Sequence, residues 1–331
     1  MGGRAGRTSR VSLGACRSAC PAGKNGRVWC SEAMTATNTI GGITRAGRDE
    51  VRPVVLAAWE AFLGVAQSAD LQRRTRLPGW RGQEVCVHLG VWDDYAALDE
   101  LVAAARAGGG GPVPDVDAAN ARVTQAHRAA PRVEVLAALA RHRDAVRTYL
   151  EDAPLALDPA PTPSPVGVLP LLTTILAEAY ELAVHALDLR DSGAGHPPDA
   201  LLDAGLLALA EVTGALAAMH AVSGGAALVT PEGGWRFGSD GETWTVSRVQ
   251  GDADQAGPVV RGEAAVLLDA SAGRANPVGL LARRKLRLSD AAGLLSLAPL
   301  VDVAPNLPGG PLLRVAARTL SGAAGLLTLR R

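Results

Sequence analysis

Apolar residues recur every three or four positions through the first two-thirds of the chain, which is the period of an amphipathic helix. The predicted helices cover residues 49–70, 81–107, 116–151 and 167–190. Glycine and proline separate them, as in the Leu77-Pro78-Gly79 turn before the second helix and the glycine-rich run after residue 107. Five prolines lie between residues 152 and 167, a length that suits a crossover between bundle helices. The pattern therefore predicts a four-helix bundle.

A different pattern begins near residue 226. A fifth apolar helix is predicted over about 198–221, and Gly224 and Gly225 end the helical region. Beyond them, short alternating runs are divided by Gly and Asp turns, and helical patterns occur near 263–272 and 291–298. The expected fold class is an α-helical bundle over residues 49–222, followed by a small α+β domain over residues 226–305.

Both ends of the chain lack this regularity. Residues 1–48 show neither period, so we expect a disordered extension, and Met34 is a candidate start of the working protein. Cys16, Cys20 and Cys30 fall in this extension, and their irregular spacing matches neither a disulfide framework nor a zinc knuckle. Residues 306–331 are expected to form a tail, either as one amphipathic helix or as a frayed end.

Charge and hydropathy narrow the class of protein. The chain has 33 basic and 33 acidic residues, so a generic nucleic-acid binder is disfavoured. The most apolar stretch, Leu201–His220, contains Asp203 and Glu211, which argues against a membrane span. The basic N-terminus is not followed by an apolar run that would indicate a secretory signal. We therefore expect a cytoplasmic protein.

The fourth predicted helix carries a stripe of ionisable residues. Glu178, Glu181, His185 and Asp188 fall within an arc of about 80° on one side, and apolar residues cover nearly every other direction. The stripe is therefore expected to point inward, where a carboxylate needs a partner or a metal. Glu181 and His185 lie one helical turn apart, a spacing at which both can bind one ion.

The second predicted helix offers a third ligand. His88 shares a face with apolar residues that should turn toward the core, where a lone histidine is more often a packed core side chain. Together with Glu181 and His185 it forms a set of two histidines and one carboxylate, which suits zinc or another divalent first-row metal with an open position. Asp188 could orient a ligand, and Glu178 could act as a base or pair with an arginine. Cys86 lies about 200° around the helix from His88 and should not share the metal.

These residues resemble a known family. Leu77-Pro78-Gly79-Trp80, Glu84 and Val87-His88-Leu89 are similar to the "PGW…D…HL" signature of mycothiol-dependent maleylpyruvate isomerase-like proteins, and Glu181–Asp188 is similar to their "ExxxHxxD" helix. The resemblance covers roughly residues 50–222 and implies a DinB-like bundle with His88, Glu181 and His185 as metal ligands. Glu84 stands where the family usually has aspartate. The remainder resembles a sterol-carrier-protein-like domain.

The resemblance implies a metal-binding, mycothiol-dependent enzyme. The divalent metal, Zn²⁺ by expectation, would make the thiol of mycothiol available as a nucleophile, for cis-trans isomerisation or for thiol transfer to a small-molecule electrophile or carboxylate substrate. The expected assembly is a monomer or homodimer. The candidates for an anion clamp are Arg261, Arg274, Arg283, Arg284 and Arg287, unless they form a solvated face.

Two other interpretations remain open at the level of the sequence. The protein could be a non-catalytic carrier or sensor, with a structural metal in the bundle and a lipid-like ligand in the C-terminal domain. It could also be a paralogue that retains the metal site and has lost the original reaction, because one fold supports many functions.

Overall fold

The computed structural model describes residues 39–41, 47–109, 115–250, 257–304 and 309–310, with the backbone alone for 39–41. The three N-terminal cysteines and most of the predicted tail lie outside this range. Within the predicted extension, Thr39–Gly41 form a short strand, β1, and Arg48 already begins the first helix. The guanidinium of Arg48 is buried against Asp158, so helical order starts where the extension was expected to end.

The first two-thirds of the described chain are mainly helical, as predicted. The helices are α1 (Arg48–Ser68), α2 (Gly82–Leu89), α3 (Ala97–Arg106), α4 (Val116–Ala126), α5 (Arg132–Asp152), α6 (Leu171–Asp188) and α7 (Asp199–Met219). Helices α1, α2, α5 and α6 pack around one apolar core, and α7 packs along α6. Buried residues repeat at helical spacing along α1, from Val51 through Val55 and Trp59 to Phe62.

Two predicted helices are each broken in two. The helix expected over 81–107 ends at Leu89, because Gly90 is extended and packs against α5, where a Cβ on Gly90 would lie 2.8 Å from the Cβ of Ala138. The helix expected over 116–151 breaks before Pro131, which caps α5. Apolar spacing alone does not reveal these interruptions.

The proline-rich crossover is not irregular. Strands β2 (Pro161–Ser164) and β3 (Gly167–Pro170) form an antiparallel hairpin, so the fourth predicted helix begins at Leu171 and not at residue 167. The hairpin delivers the chain into α6, the helix that carries the polar stripe.

The C-terminal part is built on a six-stranded sheet with helices, in agreement with the predicted α+β class. Its strands are β4 (Ser223–Thr230), β5 (Gly233–Asp240), β6 (Trp244–Val249), β7 (Val259–Arg261) and β8 (Arg287–Ser289), joined by β1 in the order β1-β6-β5-β4-β7-β8. Only the β4–β7 pair is parallel among the described strands. The helices here are α8 (Ala264–Ser271), α9 (Pro277–Ala282), α10 (Ala291–Leu294) and α11 (Pro299–Val303).

Helix α7 lies between the bundle and the sheet. It packs on α6 on one side and on strands β4 to β6 on the other. Its two internal acids face the sheet: Glu211 accepts a hydrogen bond from the indole of Trp244 at 2.7 Å, and Asp203 accepts one from Trp235 at 3.1 Å. By length and hydropathy α7 could cross a membrane, but 89% of its most apolar window is buried in the fold, as in a core helix.

Candidate metal-binding site

The two predicted histidine ligands lie side by side. His88, on the last turn of α2, and His185, near the end of α6, have ring centroids 4.6 Å apart with perpendicular planes. The indole of Trp80 contacts His88 edge-on, with centroids 5.4 Å apart. The structure thus brings together two histidines that are almost a hundred residues apart in the sequence.

A buried carboxylate orients His185. Nδ1 of His185 lies 2.9 Å from Oδ2 of Asp188, a side chain with no exposed surface. An ionised carboxylate only accepts hydrogen bonds, so Nδ1 carries the proton and Nε2 holds the free lone pair when the ring is neutral. Nε2 faces Glu181, with 3.6 Å between it and Oε2.

Glu181 is less buried than the sequence predicts. Its side chain is 55% exposed, whereas that of His185 is 6% exposed. The helical projection gives the direction of a side chain but not its depth, and Glu181 lies on the rim of the stripe, where its carboxylate keeps part of its hydration. The inward orientation expected for the whole stripe is therefore wrong for Glu181.

Two arginines hold Asp188 on its other side. Nε of Arg76, in the loop before α2, lies 2.6 Å from Oδ1 of Asp188, and Nε of Arg274 lies 3.4 Å from the same oxygen. Burial acts to raise the pKa of Asp188, but the hydrogen bond with His185 and the charges of His185 and the two arginines outweigh it and lower the pKa below its usual value. Asp188 is therefore ionised and fixes the tautomer of His185.

The remaining nitrogen atoms of Arg76 reach the C-terminal part. They form two hydrogen bonds, of 2.7 and 2.6 Å, with the carboxylate of Asp269 on α8. A chain of contacts thus runs from the α+β part through Arg76 and Asp188 to His185.

His88 is neutral at ordinary pH. Burial, together with the neighbouring imidazoles of His185 and His142, lowers its pKa well below the usual value. Its Nδ1 is buried and has no hydrogen-bond partner among the described residues. A neutral imidazole is the form that binds a metal, and a buried nitrogen without a hydrogen-bond partner is free to serve as a ligand.

Glu178 belongs to a second cluster in the bundle. It accepts a hydrogen bond of 2.8 Å from the indole of Trp59, and its Oε1 lies 3.4 Å from Nε2 of His142 on α5. Nδ1 of His142 lies 2.7 Å from the carbonyl oxygen of Leu89. Burial acts to lower the pKa of His142, but Glu178, together with the hydrogen bond to Leu89, outweighs it and raises the pKa. Glu178 thus pairs with a histidine and not with the arginine that the sequence suggested.

The residues near the ligand set take structural roles. The carboxylate of Glu84 accepts a hydrogen bond of 2.8 Å from the backbone N–H of Arg81 and caps α2, so it does not reach the two histidines. The thiol of Cys86 is buried in the core, and burial raises its pKa to about 12. That Cys86 does not share a metal with His88 stays a prediction.

Among the described residues, no group of three or more His, Cys, Asp and Glu side chains is already drawn together as a metal cluster. The donor set nevertheless fits a divalent metal: one imidazole has its outer nitrogen fixed by a carboxylate, a second has an unpartnered nitrogen, and a half-exposed carboxylate lies next to the first.

Sequence reasoning missed two residues of the site. Arg76 lies in a loop with several other arginines and has no distinguishing spacing. His142 had a signal, because it lies at helical spacing on the buried face of α5 with Leu139 and Val146. Of the five predicted clamp arginines, Arg274 reaches the site, whereas Arg261, Arg284 and Arg287 line a separate cavity in the α+β part.

Together the fold and the site define a helical-bundle protein with a histidine–carboxylate site at the meeting point of α2 and α6, extended by an α+β part. Residues 54–190 match the family described as the mycothiol maleylpyruvate isomerase N-terminal domain. This match covers about two-fifths of the chain and contains all three predicted ligands, and it confirms the resemblance.

Solved structures give a weaker similarity. A mycothiol-dependent maleylpyruvate isomerase is 21% identical over 74% of this chain and 93% of that chain, with a TM-score of 0.44. A histidine-to-alanine mutant of a mycothiol-dependent maleylpyruvate isomerase gives the same values. No curated protein matches the chain.

Proposed function

We propose that the chain is a mycothiol-dependent enzyme in which His88, Glu181 and His185 hold a divalent metal, Zn²⁺ by preference. The observation that carries the proposal is the arrangement of His185, whose Nδ1 is held by the fully buried Asp188 while Nε2 faces Glu181 beside His88. Carboxylates that fix the outer nitrogen of a histidine are typical of metal ligands. The family match over residues 54–190 supports the choice of mycothiol as cosubstrate.

The residues of the chain prepare this site in three ways. Asp188 fixes the tautomer of His185, and Arg76 with Arg274 keeps Asp188 ionised. Burial keeps His88 neutral. The half-exposed carboxylate of Glu181 leaves the set open to solvent, so a thiol can reach it from outside.

When bound, the metal would supply a Lewis acid that lowers the pKa of the thiol of mycothiol. For an isomerase, the thiolate adds to an activated cis double bond, the resulting single bond rotates, and elimination of the thiolate gives the trans product. For a transferase, the carbanion formed by the addition takes a proton from water, and the resulting thioether is released. The substrate in both cases is a small electrophile.

Metal content tests the ligand set. We expect about one divalent ion per chain in the parent and a near-complete loss in His88→Ala and His185→Ala, measured by elemental analysis of folded protein. His196→Ala is the matched control, because His196 is exposed and, among the described residues, forms a hydrogen bond with the carbonyl oxygen of Pro197 alone. Equal metal in all four proteins would refute the ligand assignment.

Turnover tests the reaction. The parent, incubated with mycothiol and cis-configured or other electrophilic substrates, should consume substrate only when the thiol is present, and His185→Ala should lose this activity. A trans product with unchanged thiol indicates the isomerase, and a thioether product indicates the transferase. Metal binding without turnover on any substrate would favour the carrier or the inactive paralogue.

A further inference from the structure

A surface cavity of about 570 Å³ adjoins the candidate metal site. The loop before α2 forms most of its wall, together with the turn that follows α4. Two of its lining residues belong to the site as well: Trp80 contacts the ring of His88, and Arg76 binds Asp188. The side chain of Trp80 therefore lies between this cavity and His88, and Arg76 connects the cavity to His185 through Asp188.

Three more arginines line the cavity: Arg74, Arg81 and Arg128. Arg74 and Arg81 lie directly opposite each other in an antiparallel bridge. Like charges in this position destabilise a strand pair. Such a repulsion is relieved when an anion lies between the two side chains.

Within the described part of the chain, none of these three arginines forms an ion pair. Arg81 and Arg128 reach only neutral amide oxygens, of Gln72 at 3.4 Å and of Gln125 at 3.5 Å. Glu84 also lines the cavity, but its carboxylate is directed to the backbone N–H of Arg81. Arg76 differs from the three, because Asp188 and Asp269 neutralise it. The cavity therefore carries uncompensated positive charge.

The backbone holds these arginines in place. Thr75 binds the carbonyl oxygen of Trp80 through both its N–H and its hydroxyl, each at 3.0 Å, and Gly79 adopts the positive φ that closes the turn. The amide of Gln83 donates to the carbonyl oxygen of Arg128 at 2.9 Å, which fixes the third arginine relative to α2. An anion can thus bind without ordering the loop first.

We propose that this cavity binds the carboxylate end of the substrate between Arg74, Arg81 and Arg128. The guanidinium fork suits a carboxylate, which it can hold by two parallel hydrogen bonds. The identity of the ligand as the substrate rests on the proposed function, whereas anion binding itself does not. The sequence pointed to arginines of the α+β part for this role, but the cavity beside His88 is lined by arginines of the bundle.

Calorimetric titration of the full chain with maleate, a small cis-dicarboxylate, tests the site. We expect the Kd for maleate to rise at least tenfold in Arg74→Gln and Arg81→Gln and several-fold in Arg128→Gln. Arg122→Gln is the matched control: this exposed arginine on α4 lies outside the cavity, and the Kd should change less than twofold. No binding to the parent, or equal binding by all variants, would overturn the proposal.

Thermal unfolding separates a ligand-binding role from a structural one. Without maleate, Arg74→Gln should unfold at the same temperature as the parent or a higher one, because the repulsion is removed, and maleate should no longer stabilise it. A lower midpoint with normal maleate binding would show that Arg74 is structural. Phosphate is the second probe: binding weaker than that of maleate supports a carboxylate ligand, and tighter binding refutes it.

Metal analysis of the same samples separates this proposal from the proposed function. The arginine variants should keep the metal content of the parent. If the parent holds no metal but binds maleate through Arg74 and Arg81, the enzyme proposal fails and the anion site stands. If the metal is present and maleate binding does not depend on these arginines, the anion site fails and the metal assignment of the proposed function stands.

Discussion

At the scale of single residues, the site contrasts two carboxylates on one helix. Asp188 has no exposed surface and is held by His185, Arg76 and Arg274, whereas Glu181 is half-exposed and lies beside His185. Removing a partner from a buried ion pair leaves other charges uncompensated, but removing an exposed carboxylate does not. Substitution of Asp188 should therefore change both stability and metal binding, whereas substitution of Glu181 should change mainly metal binding.

We expect Asp188→Asn to lower the free energy of unfolding by about 1–3 kcal/mol, because His185, Arg76 and Arg274 lose a charged hydrogen-bond partner. It should also weaken metal binding about 10- to 100-fold through His185. Glu181→Gln should change stability by only about 0.5 kcal/mol while reducing metal affinity. Denaturant unfolding and metal titration of both variants measure these effects. A stable Asp188→Asn would contradict the role given to the buried carboxylate.

The pair of His142 and Glu178 predicts that the pKa of His142 falls when the carboxylate is removed. In the parent, Glu178 raises the pKa of His142 above its ordinary value of 6.5 in spite of burial. In Glu178→Gln, burial is opposed only by the hydrogen bond between Nδ1 of His142 and the carbonyl oxygen of Leu89, so the pKa should fall relative to the parent. Histidine resonances followed by NMR against pH measure both values. A pKa unchanged between the two proteins would show that the carboxylate does not control His142.

The pair of His142 and Glu178 also makes the stability of the fold depend on pH. A histidine with a raised pKa in the folded state contributes stability that is complete below the unfolded pKa and is lost as the pH rises through the folded pKa. The stability difference between the parent and Glu178→Gln should therefore be largest below about pH 6.5 and shrink above it. His88 has the opposite pH dependence in both proteins, because its lowered pKa makes the folded state more stable at higher pH. This contribution cancels in the stability difference between the parent and Glu178→Gln.

Local spacing predicted His88, Glu181 and His185 as neighbours, because the helical period and the family signature both place them on facing surfaces. It did not predict the contacts of Glu84 or Glu178. A carboxylate near a helix start can cap the helix or enter the site, and the choice depends on loop geometry that the sequence pattern does not contain. Arg76 was missed for the same reason, since its two partners lie 112 and 193 positions further along the chain.

At the scale of elements, the approach of α7 to α6 depends on one glycine. A Cβ added to Gly205 would lie 2.6 Å from the Cβ of Ala183 on α6 and 3.3 Å from a methyl group of Leu268 on α8. Three elements meet at this point, so an added methyl group cannot be accommodated by the rotation of one side chain.

We expect Gly205→Ala to destabilise the protein by about 1–3 kcal/mol, the usual cost of overpacking a core. The matched control is Gly64→Ala on α1, where nothing lies within 4 Å of the added Cβ and the residue is exposed. That change should stabilise the protein by up to about 1 kcal/mol, because alanine favours helix more than glycine does. Thermal unfolding of both variants measures the difference, and equal midpoints would contradict the close approach.

The helical period predicted where helices occur but not where they break. Gly90 and Pro131 interrupt runs whose apolar spacing continues on both sides, and the break at Gly90 follows from its contact with α5, which is a tertiary effect. The hairpin before α6 was also missed, because its prolines suggested an irregular crossover. In contrast, a change to strands after the apolar helix was predicted, although β4 begins at Ser223 and contains Gly224 and Gly225, three residues before the expected start near 226.

At the scale of the whole molecule, the bundle and the sheet share one apolar core. Buried residues continue from Phe62 in α1 through α7 to Trp235 and Phe237 of the sheet. The sequence predicts the two parts in their order, and the boundary between them near residue 222 remains a prediction. The sequence does not reveal that α7 is buried on both sides. An apolar helix has the same composition whether it lies in the middle of a bundle or between a bundle and a sheet.

Arg76 links the two parts by charge, since it binds Asp188 of the bundle and Asp269 of α8. Asp269→Asn removes one partner of a guanidinium that is 24% exposed, so solvent limits the loss and we expect about 1–3 kcal/mol, less than for a fully buried pair. Asp302→Asn, at an exposed position of α11, should have no effect. Because the apolar core and the Arg76 ion pairs both connect the bundle to the sheet, calorimetry should show one unfolding transition. Its midpoint should be several degrees lower in Asp269→Asn. A split into two transitions in the parent would show that the bundle and the sheet unfold independently.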